Sequence, residues 1–460
     1  MASREQAVRL EDQTIQPIPL DERHGRPWDL FTVWFGSNIM LLTVVTGSLA
    51  ASVYHLPFWC AVPSLIVGNL VGAVFMALHA AQGPVLGVPQ MVQTRGQFGS
   101  MGSILVVALV IVMYVGFFAS NLVLGGEALH LMIPGLSENT GIVIGGLLAV
   151  IGAILGYDLI HVYARAMTYV AGIALVIAFV WVFFIGHIDV SADASHVPTL
   201  SGILATISVA ALWQIAYAPY VSDYSRYLPA ATGAKAAFWY SYWGCVIGSV
   251  LPMILGAALG LYAKEGEIVA ALAARAGAAG FIVLTALTLA MAVTNAMNVY
   301  CATLSTLTIG QTLAPQWSPH ARARALVACI ILVFTLVLAL FEKDSFLVEY
   351  TKFILLLLYV LVPWTAINLV DYYFVQHGDY DVASFLRQDG GIYGRINVPA
   401  VGCYFFGILV QIPFMASPLY TGPIAAVLGG ADLSWLVGLA LTSPLYYFLA
   451  RRIPVSARGH

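Results

Sequence analysis

Apolar residues in this chain gather into long runs separated by short polar connections. They neither alternate as in half-buried strands nor mark one stripe as in soluble helices. Twelve runs stand out, at 30–53, 57–80, 101–130, 141–157, 166–187, 201–222, 236–262, 279–311, 325–341, 346–372, 398–416 and 433–450. A helix rises about 1.5 Å per residue, so about 20 apolar residues cross roughly 30 Å of hydrocarbon. The pattern predicts an all-α polytopic membrane protein with 12 transmembrane helices. Two runs are interrupted, the first by Gly36, Ser37 and Asn38 and then Gly47, the sixth by Trp213, Gln214, Tyr217 and Pro219. They open two successive sets of five helices, 30–187 and 201–372. Interrupted helices at matching positions of two halves point to an inverted repeat with a site at the membrane midplane. Five is odd, so the second set enters from the opposite face. This repeat rests on helix counting, and glycines are in any case frequent in membrane helices. Around the two sets lie a polar segment 1–29, a loop 373–397, two further helices within 398–450 and a tail 451–460.

Composition sharpens the class. Charged residues make up 9% of the chain and hydrophobic ones 60%, with a mean hydropathy of +0.89; soluble domains run near about 25% charged. Charge placement then orients the chain. With the N-terminus inside, the inner segments hold Arg4, Arg9, Arg23, Arg26, Arg95, Arg165, Arg226, Lys235, Arg322, Arg324, Arg387, Arg395, Arg451, Arg452 and Arg458, against Lys264, Arg275, Lys343 and Lys352 outside. Fifteen against four predicts that both termini are cytoplasmic, in a plasma (inner) membrane. Residues 1–29 lack the apolar core and small-residue cleavage site of a secretory signal. The five cysteines stand singly, outside any disulfide or CxxC pattern, and the ten histidines show no paired metal-ligand spacing. No basic patch suggests nucleic acid. Nothing in the sequence speaks to oligomeric state.

Candidate chemistry sits in three runs. In the sixth, Gln214 lies well inside the bilayer, where an unpartnered amide costs about 1–3 kcal/mol, and Pro219 loosens the helix beyond it. An aromatic, an amide and a weakened helix at one depth suggest a small-molecule site. In the third, Phe117 and Asn121 are spaced i and i+4, on one face, and Gly116 beside them allows close approach of a flat ligand or another backbone. In the eighth, Thr294, Asn295 and Asn298 cluster. Most ionisable residues have plainer roles at helix ends: Asp223 and Asp371 lie at inner ends, and Asp158, His161 and Arg165 in a short inner connection. Lys352, within the tenth run, either snorkels outward or charges an outer vestibule, and its long apolar stem favours snorkelling.

Four stretches carry a family resemblance: IQPIPLDERHGRPWDLFTVWFGSN before and into the first helix, GVPQMVQTRGQFGSMGS between the second and third, SDYSRY closing the sixth and PWTAINLVDYYFVQHGDYDV closing the tenth. Together and in this order they resemble the nucleobase:cation symporter-1 family, the purine, cytosine, allantoin and hydantoin permeases, from about Ile15 to the end of the twelfth helix. The resemblance implies a LeuT-like 5+5 inverted repeat with helices 1 and 6 broken, plus two C-terminal helices. It also implies cation-coupled uptake of a flat heterocycle. Family members set one aromatic plate and an amide on the third helix, matched by Phe117 and Asn121, with Phe where Trp is often found. Trp213 is the match for the second plate, with Gln214 as edge reader and Tyr217 as rival plate. Tyr114 falls where some relatives have an amide that touches substrate, and Asn298 is a further edge candidate. In sodium-coupled relatives two adjacent hydroxyls on the eighth helix and carbonyls of the first enclose Na+. Here the matching residues are Val293 and Thr294, with Gly36 and Met40 for the carbonyls. One hydroxyl is missing, which leaves Na+, H+ or a relocated site using Asn295 open.

A planar base offers two faces for stacking, worth about 1–3 kcal/mol per base in other settings, and an edge of donors and acceptors. Paired aromatics with amides and no central charge favour a neutral heterocycle over the alternative of an amino-acid or amine transporter of the same fold. A channel suits a closed aromatic site less well. A membrane enzyme would need a nucleophile–base pair or metal cluster that the sequence lacks. No cofactor is expected beyond the coupling ion, and the partners expected are a small heterocycle and the lipid bilayer.

Overall fold

The computed structural model of the chain describes residues 15–155, 157–191, 197–263, 267–314, 316–387 and 389–452. Arg4, Arg9, Lys264 and Arg458, and the side chains of Asp158 and His161, lie outside the described residues. Apart from one isolated bridge between Ala416 and Thr421, the regular structure among the described residues is helical. Seven helical stretches among them are long and apolar enough to cross a membrane, and a bent pair makes eight. One stretch, Ala321–Val375, has 55 residues, about 80 Å of helix and far more than one crossing. A turn at Lys343–Ser345 divides it into Ala321–Glu342 and Phe346–Val370. Glu138–Ile154 and Val398–Phe414 are shorter apolar helices.

The helices that build the centre are α1 (Pro27–Asn38), α2 (Leu41–Ser52), α3 (Phe58–Ala80), α4 (Gln90–Phe98), α5 (Ser103–Met132), α6 (Leu200–Ile215), α7 (Ala218–Ser225), α8 (Ala234–Gly260), α9 (Gly280–Leu313) and α10 (Phe346–Val370). The bent pair is α1 and α2, which meet at 60°. Side chains competing with the helix ladder explain the break. Asn38 Nδ2 donates to the Trp34 carbonyl (2.7 Å), Ser37 Oγ to the same oxygen (3.3 Å), and Thr43 Oγ1 takes up the Asn38 carbonyl (2.5 Å). The second interruption is milder than expected. Ala216 and Tyr217 form a turn between α6 and α7, but Leu200–Ser225 runs on as one span.

Gly47, read from sequence as part of the first break, instead lies inside α2 and serves packing. A Cβ there would come within 2.2 Å of the Met253 carbonyl. On α8, glycines at four-residue spacing continue this seam. Cβ atoms at Gly244 and Gly248 would meet the Phe31 and Phe35 carbonyls of α1, and at Gly256 and Gly260 the Val44 and Ser48 carbonyls of α2. One stripe of α8 thus holds both halves of the broken span at backbone distance, the small-residue packing that lipid favours. A second seam joins α3 to α6, where Gly68 and Gly72 face the Ile207 and Ala211 carbonyls.

α4 was not expected as a helix. Its sequence QMVQTRGQF is polar, yet all nine residues are buried. Its polar groups are met from several elements. Asp223 accepts from Gln90 N (2.8 Å), Gln97 Oε1 accepts from Asn368 Nδ2 (3.2 Å), and the Arg95 guanidinium donates to the Thr308 and Phe385 carbonyls (2.7 and 2.8 Å). At this end of the bundle Asp29 pairs with Arg165 (3.1 Å). The opposite end carries Lys343 beside Glu138 (3.9 Å) and Arg275 over the Tyr262 ring (4.2 Å). Lys352 Nζ lies 2.7 Å from Glu349 Oε1, three residues back along the helix, and both side chains stay partly exposed.

Candidate functional site

At the level of both interruptions, the α1–α2 break, α5, the α6–α7 stretch and α9 enclose a narrow cavity of about 10 Å³, room for about one water. Its lining is Met40, Phe117, Asn121, Trp213, Ala216, Tyr217, Tyr220, Thr294 and Asn298, none of them charged. Phe117 and Asn121 share one face of α5, as their spacing requires. Trp213 and Tyr217 both reach the cavity, one from the end of α6 and the other from the turn, so the two rivals for one plate are both present.

The plates do not lie parallel. Phe117 meets Trp213 at 83° with centroids 6.0 Å apart, and Phe353 at 77° and 5.3 Å. A flat ring entering between Phe117 and Trp213 requires one of them to turn. Gly116 makes room for Phe353 and not for a ligand, since a Cβ there would sit 2.2 Å from that ring. Trp213 is anchored from behind: its indole N–H donates to Asn38 Oδ1 (2.8 Å), which also accepts from Ser249 Oγ (2.8 Å).

Polar groups at the cavity are incompletely paired. Asn121 is fully buried, and neither its Oδ1 nor its Nδ2 has a hydrogen-bond partner. Asn298 Oδ1 accepts from Tyr220 Oη (2.5 Å), while its Nδ2 is buried without a partner. A buried amide left unmatched costs about 1–3 kcal/mol, so these atoms are the ones at the cavity that a further donor or acceptor could satisfy.

Two expected contacts lie elsewhere. Gln214 does not line the cavity: its Nε2 donates to Asn69 Oδ1 (2.7 Å) and Ser249 Oγ (3.1 Å), on another side of α6. Successive helix residues point about 100° apart, so Trp213 and Gln214 cannot both face one small cavity. Tyr114 is also off the lining; its hydroxyl donates to the Pro219 carbonyl (2.9 Å) and ties α5 to α7. Tyr220, which does line the cavity, was missed by the sequence reading. Its cue was available in its position three residues after Tyr217, across Pro219.

The expected cation ligands divide as well. Thr294 Oγ1 donates to the Ser37 carbonyl (2.9 Å), bridging α9 to the broken end of α1. Met40 lines the cavity, whereas Gly36 packs against Thr168, where a Cβ would fall 2.7 Å from the hydroxyl oxygen. Asn295 Oδ1 is buried and unpartnered. Val293 is buried and brings no oxygen.

Comparison with known proteins bears on this geometry. Residues 17–438 match the family described as "Permease for cytosine/purines, uracil, thiamine, allantoin". YxlA of Bacillus subtilis (strain 168), provisionally named a purine-cytosine permease, is 40% identical over 96% of both chains. The purine-cytosine permease fcyB of Emericella nidulans is 24% identical over 96% of this chain and 88% of its own. Among solved structures, the nucleobase-cation-symport-1 transporter Mhp1, closed with bromovinylhydantoin bound, superposes with a TM-score of 0.74 at 17% identity over 97% of both chains. A Na+-coupled sialic acid symporter follows at 0.62, 15% identical over 94% of this chain and 92% of its own.

Proposed function

Because the chain belongs to the family of permeases for cytosine and purines, uracil, thiamine and allantoin, we propose that it imports a purine, cytosine or a related planar nitrogen heterocycle by cation-coupled alternating access. As a member of that family it is a membrane transporter and not an enzyme. The observation that carries the substrate reading is Asn121. Its amide offers one acceptor and a pair of donor hydrogens, all unmatched by protein, in a lining it shares with Phe117, Trp213 and Tyr217. A base edge bearing a donor beside an acceptor answers both at once. The absence of charge from the lining speaks against a zwitterionic amino acid, whose ionised groups would need partners there.

In this reading the chain crosses the membrane twelve times with both termini cytoplasmic, and α1/α2 and α6/α7 are matching broken helices of a LeuT-like inverted repeat. Support comes from the two glycine seams: α8 on α1 and α2 and α3 on α6 are the pair of contacts that such a repeat would relate. For the coupling ion, a Na+ beside Thr294 would draw on that hydroxyl, the Ser37 and Met40 carbonyls, which now accept from Thr294 Oγ1 and Val44 N, and Asn295 Oδ1, one hydroxyl short because of Val293. The test is a thermal-shift screen of nucleobases, hydantoins and allantoin, with and without Na+. Stabilisation that grows with the concentration of a planar ring and vanishes in F117A and W213A supports the proposal. Stabilisation by zwitterionic amino acids alone contradicts it.

A further inference from the structure

We infer that Tyr220 sets the hydrogen-bonding sense of the site: by binding Asn298 Oδ1 it fixes that amide as a donor, so the site selects rings that present a carbonyl oxygen there over analogues that present an amino group. The inference rests on the heterocycle reading above and deepens it.

An amide side chain is nearly symmetric in shape, and turning it over exchanges donor and acceptor. In an apolar pocket its orientation is therefore a choice that some neighbour must make. At Asn298 the neighbour is the Tyr220 hydroxyl, 2.5 Å from Oδ1. Turning the amide would let its N–H donate to the hydroxyl oxygen but would take away the acceptor of the buried Tyr220 proton, which sets the preference. The Tyr220 ring is itself held, edge-on to Tyr114 at 4.5 Å and 70°, and tilted against Tyr217 at 5.7 Å. Tyr114 in turn donates to the carbonyl of Pro219, the residue just before Tyr220. The sense of the amide is thus fixed through two rings and the α7 backbone.

Asn121 has no such neighbour. Both its polar atoms are unpartnered, so it can turn to suit either a donor–acceptor or an acceptor–donor edge. The two amides therefore have different tasks: Asn121 adapts, and Asn298 discriminates. Cytosine and guanine suit this inventory, each with a ring edge for Asn121 and a carbonyl oxygen left for the Asn298 N–H. In 2,4-diaminopyrimidine and 2,6-diaminopurine that oxygen becomes an amino group, and a donor then faces a donor.

The experiment measures Kd for the pairs cytosine/2,4-diaminopyrimidine and guanine/2,6-diaminopurine on the full chain in detergent. For whichever ring family binds, the wild type is expected to prefer the oxo member by about tenfold or more, the scale of one mispaired buried group. Y220F frees the amide, and the ratio is expected to shrink by about tenfold. N298D removes the donor and moves the ratio toward the diamino member, which keeps the test decisive should Y220F fail to fold. A brace without a selective role would weaken both members of a pair equally. The inference is overturned if the wild type does not discriminate within either pair, or if neither variant moves the ratio. The heterocycle reading would survive either result. If none of the four rings binds the wild type, this inference falls, while the heterocycle reading is decided separately by the screen of nucleobases, hydantoins and allantoin.

Discussion

Asn38 Oδ1 accepts the Trp213 indole N–H at 2.8 Å, so the residue that ends α1 holds the ring that closes the cavity. The same oxygen accepts from Ser249 on α8. One amide therefore joins the broken helix, its glycine-lined support and an aromatic wall of the site. N38A would strand the indole N–H and the Ser249 hydroxyl, a cost of about 1–3 kcal/mol for each buried group. The expected outcome is a lower Tm together with at least tenfold weaker ligand binding, about 1.4 kcal/mol. N38D keeps the acceptor and should bind more tightly than N38A in the same assay.

Phe117 contributes a ring face and no hydrogen bond. F117A should weaken binding of a planar ring by roughly ten- to a hundredfold, following the stacking contribution of about 1–3 kcal/mol per base. F117W should retain binding once Phe353 shifts. Calorimetric titration of both variants distinguishes stacking from simple loss of fold, since F117W keeps an aromatic face.

The α8 seam is tested by two glycine substitutions with opposite expectations. At Gly256 a Cβ would lie 1.8 Å from the Val44 carbonyl oxygen, a backbone atom that cannot move away alone. G256A should sharply reduce the yield of folded protein. At Gly402 nothing lies within 4 Å and φ is not positive, so G402A should leave Tm within about 1 °C, in line with the small effect of surface changes.

Coupling is tested at Thr294 and Val293. T294A removes the hydroxyl that spans to the Ser37 carbonyl, and the cation concentration for half-maximal uptake should rise about tenfold if one oxygen ligand is worth about 1.4 kcal/mol. V293S adds the oxygen that this position lacks and should lower the Na+ requirement. Uptake measured against Na+ and against pH, for the wild type and both variants, identifies the ion.

Much of the scaffold was legible because its signal is repetitive: about 20 apolar residues in a row admit few alternatives. Within one helix the period alone puts Phe117 and Asn121 on one face, while a substrate role for that face is what the family resemblance implies. What failed did so where a break was assumed or where two helices meet. Trp213, Ala216, Tyr217 and Tyr220 line the cavity at i, i+3, i+4 and i+7, so the period runs on through the turn, and the break assumed at Pro219 hid Tyr220. Gln214 is buried and polar like a ligand contact, but its partners Asn69 and Ser249 lie on α3 and α8, which sequence alone does not bring together. Gly116 and Gly47 mark close approach, and sequence could not say that the approaching group is Phe353 or Met253. The polarity of α4 reads as a loop, because the groups that satisfy Arg95 come from residues more than 200 positions away.

If Asn121 reads the edge of an uncharged planar ring inside the cavity, transport depends on its amide. The measurement is uptake of labelled cytosine and guanine into proteoliposomes by the wild type and by N121A, with unlabelled heterocycles and amino acids as competitors. The expected result is saturable uptake that planar heterocycles compete for, amino acids do not, and N121A abolishes. Undiminished uptake by N121A, or competition by amino acids alone, would contradict it.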